Sequence, residues 1–163
     1  DTPAMVVRAA VRLGGSWRVH RVGPGGGSVA ATMADDGAAV VTYDQTTPPT
    51  GNRSQVVAWA LTQGSGEPPP LRVIARSGLT WPPQALVAGD LLVVAWQNLD
   101  NTTSASVAPL GRPLPVASVI SPGGTGGEAQ LSPTLSVSPA GTVLARTVDP
   151  NGDRLLQARL LTG

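Results

Sequence analysis

The sequence predicts an all-β fold, and three observations lead there. Gly (20) and Pro (16) make up about a fifth of the 163 residues and recur at short intervals, so few windows can hold an unbroken helix. The runs between them are short and rich in Val, the length and β-branched content of strands. One pattern of such runs also returns along the chain roughly every 52 residues. Hydrophobic residues still reach 41%, which sets the chain apart from a disordered tail.

In chain order, Met5–Leu13 and Trp17–Val22 read as the first two strands. Ser28–Met33 follows, then Ala38–Tyr43 after the turn Ala34-Asp35-Asp36-Gly37, then Gln55–Leu61 and Leu71–Arg76. Pro83–Val87, Leu91–Trp96, Ser104–Ala108 and Leu114–Ile120 repeat that order. Ser132–Val137, Thr142–Val148 and Leu155–Leu161 begin it again. The window Asp90–Ala108 is the longest without Gly or Pro, but its polar middle, Asn98–Thr103, reads as a turn between strands. Asn151-Gly152, between Val143–Val148 and Leu155–Leu161, predicts a hairpin, because a type I′ turn needs positive φ at both central positions. Many runs are apolar on both faces, as strands buried between packed sheets should be.

The repeat compares Ala34–Gln45 with Ala88–Asn98 and Ser138–Thr147, each with a strand just upstream and another after a polar loop. The unit is strand, Gly turn, strand, variable loop, strand, turn, strand. Four antiparallel strands in about 50 residues, repeated, is the signature of a β-propeller blade. The chain then divides as one repeat domain, 1–163. Residues 1–27 give two strands of an incomplete blade, 28–78 and 79–127 a blade each, and 128–163 a second incomplete blade. About three four-stranded blades cannot close a ring, and an open arc leaves strand edges exposed. The expectation is assembly through edge strands, either with another copy in a homo-oligomer or with a companion chain that completes the propeller.

The turn Ser-x-Ser-x-x-Gly-x-x-x-Ala at Ser136–Ala145 and the strand Gln-Ala-Arg-Leu at Gln157–Leu160 resemble bacterial propellers of the sialidase-like and TolB-like kind. Ala34–Gly37 is similar to part of the sialidase Asp-box, but Met33 stands where Ser or Thr belongs and no aromatic follows at the right place. The resemblance implies propeller architecture. On its sialidase side it would also imply a Tyr nucleophile, a Glu partner and an Arg cluster. Tyr43 is the only Tyr, and Asp44 beside it falls on the opposite strand face, so that catalytic set does not carry over.

Composition excludes several chemistries. Zero Cys removes disulfides, thiolate metal sites and cysteine nucleophiles, and the single His20 cannot supply two imidazoles. All 11 basic residues are Arg and the net charge is +1, so no global field draws in nucleic acid or an acidic membrane. Arg8, Arg12, Arg18 and Arg21 are a local exception, read as solvated strand faces. No run of 18 apolar residues exists to span a membrane. The start Asp1-Thr2-Pro3 reads as trimmed, and the Thr/Ser/Gly/Pro-rich, all-Arg usage points to an extracellular or cell-surface bacterial protein. The glycine-rich stretches 23–28 and 123–127 lack the Lys and helix of a phosphate loop and read as linkers. Glu67 and Glu128 lie in Gly- and Pro-rich segments, not preorganised as a glycosidase pair. No catalytic residue and no cofactor is expected.

Trp17, Trp59, Trp81 and Trp96 are expected to fill spaces between sheets, with Trp81, among prolines, the best exposed sugar platform. The polar loops Asp44–Arg53 and Asn98–Ser104 sit on equivalent turns, where repeat proteins place recognition. Trp81, Asp44 and Asn101 are therefore the candidate ligand-binding residues, for a glycan. Asp149-x-Asn151-x-Asp153 matches the opening of a calcium loop, but Arg154 replaces its glycine and no Glu closes it, so a plain hairpin is expected. The leading reading is a non-catalytic structural or interaction module. A carbohydrate-binding, lectin-like propeller is the alternative, and a degenerate glycosidase-like propeller comes third.

Overall fold

The computed structural model describes residues 6–13, 15–24, 29–33, 39–46, 54–61, 72–76, 83–98, 100, 102–110, 112, 114, 115, 117–121, 134–138, 142–148 and 155–160. Among them are thirteen strands and no helix. The strands are β1 (Val6–Leu13), β2 (Ser16–Pro24), β3 (Val29–Met33), β4 (Ala39–Thr46), β5 (Ser54–Leu61), β6 (Arg72–Arg76), β7 (Gln84–Ala88), β8 (Leu91–Gln97), β9 (Thr103–Pro109), β10 (Ser118–Ser121), β11 (Thr134–Val137), β12 (Val143–Val148) and β13 (Leu155–Leu160).

Every sheet is an antiparallel meander of consecutive strands. The orders are β1-β2, β3-β4-β5-β6, β7-β8-β9-β10 and β11-β12-β13. Short connections make this the natural pairing, since neighbours in sequence need only a tight turn to meet. The β7–β8 turn is such a case: Ala88 pairs with Leu91, and Gly89 between them takes φ 61, the left-handed value that glycine reaches without strain. The expected β12–β13 hairpin is present, with Val148 opposite Leu155; its turn residues lie outside the described set. The four described sheets do not close into a barrel or ring.

One strand starts later than its sequence suggests. Leu114–Ile120 reads as a single run, yet β10 begins at Ser118. Pro113 and Pro115 have no N–H to give a ladder, so pairing waits until they are passed. The Pro115 carbonyl instead accepts a hydrogen bond from Ser106 Oγ at 2.8 Å. Leu114 and Ala117 still pack on the core.

The first three sheets stack around β4. Ala39, Val41 and Tyr43 of β4 cluster with Val7, Ala9, Val11 and Val22 of the β1–β2 sheet. Val40, on the other face of β4, clusters with Leu92, Val94 and Trp96 of β8. Thr42 Oγ1 also lies 3.4 Å from the Pro83 carbonyl at the head of β7. Ala39–Tyr43 and Leu92–Gln97 are therefore buried on both faces, which is why neither strand shows a polar alternation. The first strands lie side by side: β7 runs against β3 and also against β11.

Candidate interaction edge at the first sheet

Strand β1 alternates cleanly. Val7, Ala9 and Val11 are buried against β4, while Arg8, Ala10 and Arg12 are exposed on the outer face. Cross-strand pairing sets Arg21 opposite Arg8, Val19 opposite Ala10 and Trp17 opposite Arg12. The Arg12 Nε–H donates to the Gly15 carbonyl at 3.5 Å, leaning the guanidinium toward the turn. Only β2 pairs with β1 among the described residues, and on its other edge the backbone N–H and C=O groups of β1 have no ladder partner among them.

That edge borders an uncovered apolar face. Register places Val29 opposite Tyr43, Ala31 opposite Val41 and Met33 opposite Ala39, so these β3 and β4 side chains share one face. The β1–β2 sheet covers the β4 half. The β3 half is left out, with Val29 52% and Met33 64% exposed. Between β1 and β3 runs a groove of about 470 Å³, lined by Arg8, Ala10 and Arg12 on one side and Val29, Ala31 and Met33 on the other. No Asp or Glu occurs anywhere between Val6 and Pro24, so the groove wall on the β1 side is cationic.

A second ordered feature is the β8–β9 turn. Asn98 Nδ2 donates to Thr102 Oγ1 at 2.8 Å and to Ser104 Oγ at 2.9 Å, and the Asn98 N–H donates to the Thr102 carbonyl at 2.9 Å. Thr102 donates to Asp100 Oδ1 through its hydroxyl and its backbone N–H, and the hydroxyl bond is the main cause holding the Asp100 carboxyl below its ordinary range. Among the described residues the turn is held by this polar hydrogen-bond network and gathers no set of catalytic groups.

The sequence-chosen ligand residues are not brought together by described geometry. Trp81 and Asn101 lie outside the described residues, as do Asp149, Asn151 and Asp153. Asp44 is on β4 opposite Val56, described in its backbone only. Of the tryptophans, Trp96 fills the core as expected, but Trp17 does not: it is 68% exposed. Its strand leaves its outer face to solvent, since among the described residues no further sheet packs on that face of the β1–β2 pair. Tyr43 is fully buried, and burial raises its phenol pKa, the reverse of what a nucleophile needs. Among the described residues no group of three or more His, Asp or Glu side chains could hold a metal ion.

The groove residues Val29 and Met33 were not singled out by sequence, and Trp17 was expected inside the core rather than at a groove. Their only signal was the apolar alternation of Val29-x-Ala31-x-Met33 next to a two-strand sheet where four strands were the pattern. No protein-family model and no curated protein matches this chain.

Proposed function

We propose that this chain is a non-catalytic interaction module, an arc of propeller-like blades that assembles through its open edge strands with another copy or a companion chain. Support for the arc comes from the strand arrangement. First strands β3, β7 and β11 run side by side, while second strands β4 and β8 stack face to face, as blades do around a common axis. The observation that carries the assembly reading is the β1 edge, unpaired among the described residues beside the uncovered Val29 and Met33. Natural sheets cover, charge or shorten such edges, and an eight-residue edge beside an apolar face is a template for another strand.

Light scattering across a concentration series, combined with amide hydrogen exchange on β1, tests this. Concentration-dependent mass, or a monomer with fast-exchanging β1 amides that a co-purified partner protects, is the expected result. A strict monomer whose β1 amides are already protected in isolation would falsify the assembly reading.

A further inference from the structure

We infer that the groove between β1 and β3 is a strand acceptor for an extended peptide segment that alternates aliphatic and acidic residues, donated by a companion protein rather than by a second copy. The inference rests on the assembly reading above and adds the chemistry of the occupant.

The backbone supplies the first requirement. The edge of β1 that has no partner strand among the described residues runs over eight residues, roughly 27 Å at the rise of an antiparallel strand. A strand added there continues the β1–β2 sheet toward the groove. Its side chains must then alternate between the two faces of that sheet. On the inner face they meet Val29, Ala31 and Met33, which call for aliphatic groups. On the outer face they stand beside Arg8 and Arg12, with Arg21 behind Arg8. Cross-strand neighbours of opposite charge stabilise a ladder and like charges weaken it.

The same arginines discriminate between occupants. Pairing β1 with β1 of a second copy across a twofold axis, centred on Ala10, would set Arg8 opposite Arg12 twice. That self-pairing concentrates positive charge. An acidic strand cancels it, which is the complementarity that favours a companion over another copy.

The test uses the full chain and a short labelled peptide alternating Val and Glu. Controls are a Val/Lys alternate and a block peptide of the Val/Glu composition with the valines and glutamates separated. The Val/Glu alternate is expected to bind saturably, to slow amide exchange across Val6–Leu13, and to weaken as salt is raised. The double variant Arg8→Glu/Arg12→Glu, on exposed positions that leave the core intact, is expected to lose that peptide by about tenfold or more and to take up the Val/Lys peptide instead. Absence of binding, equal binding of the block peptide, no added protection on β1, or binding unchanged in the double variant would each overturn the inference. If the peptide fails while the chain self-associates through β1, only the acidic-partner inference falls and the second copy is the occupant. If β1 is protected in an isolated monomer, the assembly reading itself falls.

Discussion

The indole Nε1–H of Trp96 donates to Asn98 Oδ1 at 3.1 Å, so the largest fully buried side chain of the described core is tied to the turn that follows it. Asn98 passes the connection on to Thr102 and Ser104, on the far side of that turn. Asn98→Ala leaves the indole donor and two hydroxyls without this partner, and a loss of about 2 kcal/mol is expected, since stranding a buried donor costs its desolvation. Urea unfolding monitored by Trp fluorescence checks this; a change under about 0.5 kcal/mol would contradict it.

Tyr43 gives a prediction at alkaline pH. Its hydroxyl is buried with no hydrogen-bond partner among the described residues, and desolvation raises its pKa. The neutral phenol therefore favours the folded state. Stability is intact below the ordinary tyrosine value of about 10 and falls as pH rises from there through the raised folded value, because the unfolded chain ionises first. Tyr43→Phe should flatten that alkaline loss and be neutral or stabilising by up to about 1 kcal/mol near pH 7. As the only Tyr in the chain, Tyr43 is the sole source of phenolate absorbance, so a spectrophotometric titration reads it directly.

Asp100 behaves oppositely. Hydrogen bonds from the Thr102 hydroxyl and then the Thr102 amide lower its pKa. The stability it contributes is present above the ordinary Asp value and is lost as pH falls through the lowered one. Thr102→Val removes the larger cause and keeps the amide, so the Asp100 pKa should move up part of the way toward its ordinary value in a carboxyl NMR titration. The accompanying loss of stability is expected to be roughly 1 kcal/mol, from the missing hydroxyl bonds.

Gly89 separates backbone strain from crowding. A Cβ at this position meets nothing within 4 Å, so there is room for a side chain. The φ of 61 is nonetheless costly for L residues, and Gly89→Ala should lose about 1 kcal/mol in thermal unfolding. Gly89→Asn should lose less, because Asn tolerates the left-handed region better than Ala.

The strands and their sequential pairing were legible because Val-rich runs between Gly and Pro leave few alternatives. Ala39–Tyr43 and Leu92–Gln97 could be read as doubly buried from their unbroken apolar character. The late start of β10 was legible in principle from Pro113 and Pro115, whose missing donors outweigh the Val and Ile that follow. Trp17 was misread because a bulky aromatic invites burial, whereas alternation says only which face a residue takes and not what covers that face. The same gap hid Val29 and Met33: an apolar alternating strand looks alike in sequence whether a neighbouring sheet is present or missing. The candidate ligand residues Trp81 and Asn101 were chosen from loop composition, which carries no geometry.

The packing of β4 between two neighbours has a consequence for how the fold comes apart. Each sheet is built from consecutive strands, and the described contacts run from each sheet to the next along the chain. Such an array behaves as a row of coupled units, each held by its own ladder and by the interface on either side. The β1–β2 sheet has one described interface and one internal ladder, so it is the unit whose release costs least. Loss of that end unit bares Ala39, Val41 and Tyr43 and weakens the next, so melting should travel inward from the first sheet. A strand seated on β1 would therefore act as an end cap, raising the threshold for the whole row while touching only its edge.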